Sequence, residues 1–206
     1  MNRPGKIVCV GRNYRDHAKE MGNDVPKEPL IFLKPPSSVI SNGDDIVLPA
    51  QSSQVEHEGE IGVVIGRTLR RVTLQEARAG IESIVAANDV TARDLQRSDS
   101  QWTRAKGFDT FCPVGEAATP PADLSGLTVV TRVNGVERQR GSVSDMVFSI
   151  PDVLVFISHV MTLEPGDLVL TGSPAGVGKL LAGDEVEVEV LGVSRVRNPV
   201  TVGERA

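Results

Sequence analysis

The first residues whose types and spacing suggest chemistry are two glutamates separated by one residue, Glu58 and Glu60. Side chains two positions apart on a β-strand point to the same face, and adjacent carboxylates repel each other unless a positive charge neutralises them. Mg²⁺ and Mn²⁺ favour such oxygen ligands. Asp89 follows the apolar residues 84–87 and could join the same site, although Asn88-Asp89 is also ordinary turn sequence. A metal site and a solvated acidic strand face both remain open for the glutamate pair.

A histidine and a glutamate, His17 and Glu20, lie three residues apart on a predicted helix of residues 14–21 and so share one helix face. A carboxylate beside an imidazole fixes the tautomer and raises the basicity of the ring, as in acyl-transfer triads. A solvated pair on a helix surface is the alternative. The other histidines are expected to have lesser roles, His57 as a supporting or core residue and His159 as an incidental helix residue.

Three further side chains could bind a substrate. Lys106 lies among aromatic residues and is followed by glycine, where its amine could reach a substrate carboxylate or an oxyanion. An ordinary surface lysine is the alternative. Arg93 and Gln96 lie three residues apart and therefore share one side of a helical turn.

A glycine-rich segment, residues 171–179, follows a predicted strand and must be compared with phosphate-binding loops. The P-loop pattern requires glycine where this chain has Ser173, and serine or threonine where it has Leu180, so the match fails. A nucleotide-binding enzyme is therefore disfavoured. The segment is predicted to form a tight turn whose backbone N–H groups and Thr171 hydroxyl can face an anion.

Composition places the chain among globular proteins. Its 206 residues fit a single domain, 1–206, and the 3% share of aromatic residues leaves the core to Val, Leu, Ile and Ala. The net charge of −5 argues against nucleic-acid binding. No stretch approaches the ~20 apolar residues of a membrane span, and the N-terminus lacks a signal-peptide pattern, so a cytoplasmic protein is expected. Cys9 and Cys112 are expected to be buried thiols.

Local patterns predict more strands than helices. Helices are expected at residues 14–21, 73–79 and 149–161, the last two with Thr73 and Ser149 as N-caps. Strands are expected at 7–10, 58–65, 84–88, 168–171 and 186–190, and Asn134-Gly135 predicts a hairpin between 127–133 and 136–139. The predicted class is therefore α+β and β-rich, rather than an alternating βαβ fold.

Six segments, taken together and in this order, resemble the fumarylacetoacetate hydrolase family. They are VGRNYRDHAKE at 10–20, FLKP at 32–35, HEGEIGVVIG at 57–66, NDVTARDLQ at 88–96, KGFDTFCP at 106–113 and TGSPAGVG at 171–178. The motif-bearing region spans about 6–192, which leaves residues 1–5 and the C-terminal tail as extensions. One departure is Ser173, where the family commonly has threonine; both residues supply a hydroxyl.

The resemblance implies a mixed β-sandwich roll that is usually a homodimer, and it implies roles for individual residues. The implied ligands of Mg²⁺ or Mn²⁺ are Glu58, Glu60 and Asp89. The implied catalytic residues are His17 and Glu20, as a dyad on a mobile lid, together with Lys106. The implied substrate-binding residues are Arg93, Gln96, Lys106, Thr171 and Gly172.

The resemblance also implies a reaction. The length and N-terminal segment are most similar to the short acylpyruvase and oxaloacetate decarboxylase members. A metal-dependent hydrolase or lyase is therefore expected, cleaving a C–C bond of a small 2-oxo acid such as fumarylpyruvate, acetylpyruvate or oxaloacetate through a pyruvate enolate. One alternative is an isomerase or decarboxylase of a dienoic diacid of the 2-hydroxyhepta-2,4-diene-1,7-dioate type. A non-enzymatic metal-binding protein is the other.

Overall fold

Strands dominate the architecture. The computed structural model describes residues 3–20, 22 and 24–203, and these form fifteen β-strands, five α-helices and two short 3₁₀ helices. The strands are β1 Ile7–Gly11, β2 Leu30–Lys34, β3 Val39–Ile40, β4 Ile46–Leu48, β5 Val55–His57, β6 Gly59–Ile65, β7 Ile81–Asn88, β8 Thr91–Ala92, β9 Cys112–Pro113, β10 Thr128–Val133, β11 Val136–Ser142, β12 Leu168–Leu170, β13 Gly178–Lys179, β14 Glu185–Val190 and β15 Ser194–Val202. The helices are α1 Arg15–Glu20, α2 Leu74–Ala79, α3 Arg93–Ser98, α4 Thr103–Lys106 and α5 Ile150–Val160, and the 3₁₀ helices are Pro36–Ser38 and Val143–Asp145.

Two five-stranded sheets form the framework, with the strand orders β2-β1-β12-β6-β7 and β11-β10-β14-β15-β4. In the first sheet β1 runs parallel to β12, whereas β6 is antiparallel to both β12 and β7. Two smaller sheets, β13-β5-β8 and β3-β9, complete the strand pairing. The β-rich α+β class and the mixed sheets expected from the sequence are confirmed.

Strand β6 shows how the two larger sheets pack together. Side chains alternate along a strand, so the odd-numbered residues of β6 point into the core between these sheets. Glu60 is even-numbered and therefore faces away from that core. The β6 core residues and the second-sheet residues clustered with them are Ile61, Val63, Ile65, Val129 and Val188.

The two larger sheets come into close contact at Gly59, the first residue of β6. A Cβ atom at this position would lie 1.9 Å from Thr131 Oγ1 on β10, far inside van der Waals contact. The Thr131 hydroxyl is itself buried and has no hydrogen-bond partner in the described part of the chain. Only glycine fits there, and this close packing fixes the backbone between Glu58 and Glu60.

The predicted helix starts and the predicted hairpin turn are confirmed. Thr73 caps α2 and Ser149 caps α5, each within a capping box. Asn134 and Gly135 have φ values of 52° and 77°, as a type I′ turn requires. Helix α1 lies within the predicted range 14–21. Met21, the last residue of that range, is outside the described residues.

Two expectations from composition can be compared with the fold. Cys9 and Cys112 are free and buried, as predicted. Burial raises the pKa of both thiols, that of Cys112 to about 12, so they act as apolar core residues. In the part of the chain that the structure describes, no helix is both long and apolar enough to cross a membrane.

Candidate metal and substrate site

The antiparallel pairing of β6 with β7 brings three carboxylates together. Glu58 lies between β5 and β6, Glu60 lies on β6 and Asp89 directly follows β7. Gly59 pairs with Asn88 in the ladder, and the Asp89 N–H donates to the Glu58 carbonyl at 2.8 Å. One oxygen of each carboxylate lies within 4.8 Å of the others, and all three side chains are buried. The alternative of a solvated acidic strand face is therefore excluded.

Two buried lysines contact this carboxylate cluster. Lys106 Nζ donates to Glu58 Oε2 at 3.0 Å and to Asp89 Oδ2 at 2.5 Å. Lys34 Nζ donates to the other Asp89 oxygen, Oδ1, at 2.7 Å and to the Val90 carbonyl at 3.2 Å. Burial alone would lower the pKa of Lys106, but the adjacent Asp89 and Glu58 raise it. Lys106 is 2% exposed, so it is not an ordinary surface lysine.

Arg93 joins the cluster from the first turn of α3. Its Nη2 donates to Glu58 Oε1 at 2.5 Å and its Nε donates to Glu56 Oε2 at 2.8 Å. Its Nη1 donates to Gln96 Oε1 at 2.6 Å, so the predicted i, i+3 pair is formed. Burial would raise the pKa of Glu58, but Lys106 and Arg93 outweigh it and hold that pKa well below its usual range.

Glu60 is electrostatically different from Glu58. Among the described residues, the Glu60 carboxylate accepts one hydrogen bond, from the Gly172 N–H 2.6 Å from Oε2. Burial raises the pKa of Glu60 well above its usual range, and the neighbouring Asp89 and Glu58 raise it further. The cluster therefore has its least compensated negative charge at Glu60, which is where a bound cation would be most favourable.

The loop after β12 is hydrogen-bonded to β6. Gly172 has a φ of 105°, and a Cβ atom there would lie 2.7 Å from Asn13 Cβ, so the loop requires glycine at this position. The Thr171 hydroxyl is fully buried and donates to the Ile61 carbonyl at 2.8 Å. In this arrangement Thr171 and Gly172 position β6 and Glu60, and Ser173 lines the cavity instead. The substrate role of Thr171 and Gly172 stays a prediction.

His17 and Glu20 form the predicted pair on α1. His17 Nδ1 lies 3.3 Å from Glu20 Oε2, and His17 is only 6% exposed. The same Glu20 carboxylate accepts a hydrogen bond from the Gly176 N–H, with its two oxygens 3.1 and 3.2 Å away. Glu20 therefore links α1 to the loop after β12. His57 is buried and contacts Gln139, and His159 is exposed, in line with the lesser roles expected.

One cavity of about 280 Å³ connects these groups. Part of its wall is aromatic: Phe32 and Trp102 meet edge to face with ring centroids 5.3 Å apart, and Lys106 Nζ lies 5.0 Å from the Phe32 centroid. The lining residues are Val10, Gly11, Arg12, His17, Phe32, Glu58, Glu60, Asp89, Arg93, Gln96, Arg97, Trp102, Lys106 and Ser173.

Sequence reasoning assigned no role to Lys34 or Glu56, although both are part of the charge network. Glu56 extends the two-residue spacing of Glu58 and Glu60, so strand periodicity could have found it. The side chain of Lys34 is fully buried, and its carboxylate partner Asp89 is 55 residues away along the chain. No local pattern signals a contact of that kind.

One family model, described as fumarylacetoacetate (FAA) hydrolase C-terminal, matches residues 6–201. The chain belongs to the fumarylacetoacetate hydrolase family. The resemblance inferred from the six sequence segments is thereby confirmed, and the match extends beyond the motif-bearing region 6–192.

Named relatives within this fold differ in activity. Oxaloacetate tautomerase FAHD1 of Arabidopsis thaliana is 45% identical over 199 residues, covering 93% of this chain and 89% of the relative. A solved 5-carboxymethyl-2-hydroxymuconate delta-isomerase from Mycobacterium smegmatis is 44% identical, with a TM-score of 0.91 over 98% of this chain and 81% of that one. Fumarylpyruvate hydrolase from Pseudomonas aeruginosa, solved with Mn²⁺ and pyruvate, is 27% identical, with a TM-score of 0.91 over 97% of this chain and 91% of that one. The three names describe a tautomerase, an isomerase and a hydrolase.

Proposed function

We propose that this chain is a divalent-metal-dependent enzyme that interconverts the keto and enol forms of oxaloacetate. The observation that carries the proposal is the convergence of three buried carboxylates, Lys106 and His17 on one small cavity. The Arabidopsis relative named oxaloacetate tautomerase supports the choice of substrate. The C–C bond cleavage expected from the sequence uses the same groups and becomes the second candidate.

The donor set fits Mg²⁺ or Mn²⁺. Glu58, Glu60 and Asp89 offer oxygen atoms only, which hard divalent cations prefer. The poorly compensated charge of Glu60 adds to the fit, because a cation would offset its repulsion by the two neighbouring carboxylates. When bound, the dication supplies positive charge that stabilises negative charge on the 2-oxo oxygen of the substrate.

Lys106 and Arg93 orient the substrate in this scheme. Both line the cavity and both stay positively charged, because adjacent carboxylates raise their pKa values. A carboxylate of the substrate would accept hydrogen bonds from the Lys106 amine, with Gln96 completing the polar wall. Phe32 and Trp102 form an apolar part of the cavity wall.

His17 moves the proton. Conversion of the keto form removes a proton from C3 of oxaloacetate and adds one to the 2-oxo oxygen; the reverse conversion moves it back. Nδ1 of His17 contacts Glu20, which leaves Nε2 for the substrate. Glu20 fixes the ring orientation and stabilises the protonated ring. A positioned base of this kind typically contributes about 10²–10⁴-fold to the rate.

The size of the cavity favours a short substrate. Its volume of about 280 Å³ lies just below the roughly 300–1,000 Å³ typical of small-molecule sites. A four-carbon diacid such as oxaloacetate fits within this volume.

Hydrolysis of an acylpyruvate is supported by the His17–Glu20 pair, which can also take a proton from water. Water attack on the distal carbonyl would then release pyruvate and a second carboxylic acid. The fumarylpyruvate hydrolase from Pseudomonas aeruginosa favours this candidate, although its sequence identity to this chain is lower.

The two reactions differ in their products, and one experiment separates them. Freshly dissolved enol oxaloacetate, acetylpyruvate and fumarylpyruvate are each mixed with the protein and Mg²⁺, then with EDTA. Loss of the ultraviolet absorbance of the enol and formation of pyruvate are followed in the same samples. Metal-dependent loss of the oxaloacetate enol without pyruvate is the expected result.

Variants test the assigned roles in the same assay. Glu60→Gln is expected to abolish the reaction, and His17→Ala to slow it by about 10²–10⁴-fold. His159→Ala is the matched control, because His159 is exposed on α5 and should not change the rate. If pyruvate were released as fast as the enol is lost, C–C bond cleavage and not tautomerisation would be the activity. If Glu60→Gln reacted at the wild-type rate, both proposed activities would be refuted.

A further inference from the structure

Arg12 differs from the other lysine and arginine side chains that line the cavity. Lys106 and Arg93 are bonded to carboxylates, and Arg97 donates to Gln54 Oε1 at 2.6 Å. Within residues 3–20, 22 and 24–203, the Arg12 guanidinium has neither a hydrogen-bond partner nor an ion pair, although it is partly buried. A guanidinium in such a position is ready to bind an anion from solution.

The backbone at Arg12 is held in an uncommon conformation. Its φ of 59° lies in the left-handed region, which non-glycine residues rarely adopt and which tends to occur at functional sites. The next residue, Asn13, is fully buried and donates from Nδ2 to the Thr171 carbonyl at 2.8 Å and the Phe148 carbonyl at 3.1 Å. Arg12 is therefore fixed between the end of β1 and the anchored Asn13.

The charge balance of the cavity points to a substrate with more than one negative charge. Four lysine or arginine side chains and three carboxylates line it. With all of these ionised and a dication bound at the carboxylates, positive charge exceeds negative charge by three. A monocarboxylate would leave most of that excess uncompensated, whereas a dicarboxylate would offset two of the three charges.

We propose that Arg12 binds the distal carboxylate of the substrate, so that the enzyme selects 2-oxo dicarboxylates over 2-oxo monocarboxylates. The inference rests on the proposed function, because it takes the 2-oxo end to be held at Glu58, Glu60 and Asp89. The planar guanidinium offers two parallel N–H donors that match a carboxylate, and this geometry distinguishes arginine from lysine.

The test compares two four-carbon 2-oxo acids that differ in the distal carboxylate, oxaloacetate and 2-oxobutanoate. The Kd of each, in the presence of Mn²⁺, is obtained from the rise of Tm with ligand concentration, and the KM for oxaloacetate is measured separately. Arg12→Met is expected to weaken oxaloacetate binding by about 10- to 100-fold, as for loss of a charge-assisted pair, and to change 2-oxobutanoate binding by less than about threefold. Arg12→Lys should recover part of the loss.

Two further variants separate binding from folding. Arg12→Gly relieves the left-handed backbone, so it should raise or preserve the ligand-free Tm while still losing the preference for oxaloacetate. Arg15→Met removes an exposed positive charge three residues away and should bind both acids like the wild type. Equal losses for the two acids in Arg12→Met, or no loss for either, would overturn the role of Arg12. A wild-type protein that binds neither acid would overturn the proposed function as well.

Discussion

At the scale of single residues, Asp89 shows how the charge network is built. Each of its oxygens is held by a different lysine, Oδ1 by Lys34 and Oδ2 by Lys106. Both lysines are buried, so neither can exchange the carboxylate for water. Lys106 lines the cavity, whereas Lys34 does not, which makes Lys34 the structural partner of Asp89 and leaves Lys106 available to the substrate.

Replacing Lys34 by methionine tests this division. Lys34→Met keeps the length of the side chain but removes the positive charge beside Asp89. The free energy of unfolding without metal should fall by about 3 kcal/mol, because a buried carboxylate loses one of its partners. Saturating Mn²⁺ should restore a large part of that loss, since it supplies positive charge to the same carboxylate. Urea unfolding with and without Mn²⁺ measures both quantities.

An exposed lysine provides the comparison. Lys179→Met removes the same charge at the surface of β13 and should change the free energy of unfolding by less than about 0.5 kcal/mol. If Lys34→Met were no more destabilising than Lys179→Met, the ion pair between Lys34 and Asp89 would not be contributing to the stability of the fold.

At the scale of elements, those with local end signals can be predicted from this sequence. Helix α2 begins at a capping box, and the β10–β11 hairpin turns at Asn-Gly. Strand β15 was not predicted, because it contains Pro199 and is defined by distant partners. Pro199 lies where β15 changes neighbours: its pairing with β14 ends there, and its pairing with β4 begins at Val200.

The candidate site follows the same rule. Residue type and two-residue spacing, together with the family resemblance, predicted Glu58, Glu60 and Asp89 as a group, and the fold brings them together. The pairing of Asp89 with Lys34 depends on how β2 lies relative to β7, which no short pattern encodes. Tautomerisation was not among the reactions derived from the sequence, because it requires the same acidic, basic and metal-binding groups as C–C bond cleavage.

The packing of β6 against β10 gives a prediction at the element scale. Gly59→Ala places a methyl group against Thr131 Oγ1 and should destabilise the fold by about 1–3 kcal/mol. Thr131→Ala alone should change stability by no more than about 1 kcal/mol, since the hydroxyl it removes is buried and unpartnered in the described chain. Combining the two should recover at least half of the Gly59→Ala loss, as thermal unfolding of the three variants would show.

Gly126→Ala is the matched glycine control. A Cβ atom at Gly126 would meet nothing within 4 Å, so this variant should unfold like the wild type. Simple addition of the Gly59→Ala and Thr131→Ala effects would show that the two side chains do not compete for the same space.

At the scale of the whole molecule, the site joins segments that are far apart in the chain. Strands β1, β2 and β6, helices α1, α3 and α4, Asp89 after β7 and the loop after β12 all contribute to one cavity. Most of these segments contact one another through charged groups. A cation bound at Glu58, Glu60 and Asp89 would therefore stabilise the native packing of all of them together.

Removal and return of the metal should change the stability of the entire fold. The EDTA-treated protein should stay folded, because Lys34, Lys106 and Arg93 neutralise much of the cluster. Mg²⁺ or Mn²⁺ at about 100 times its Kd should then raise Tm by roughly 5–10 °C. The Glu60→Gln variant should show little of this rise in Tm. If neither cation raised the Tm of the wild-type protein, the metal site would be contradicted. Differential scanning calorimetry gives these values.

The short stretch from Gly11 to Glu20 has a consequence for how new activities could arise. It carries Arg12, the anchor Asn13, His17 and Glu20, while the carboxylate cluster lies on other elements. Exchange of Arg12, His17 and Glu20 alone, with the buried Asn13 and Tyr14 kept, would therefore alter which acid is accepted and how its proton is moved, and would leave the framework and its cation site intact. A gene encoding such a chain could diverge in activity through one localised change, without having to evolve a new core.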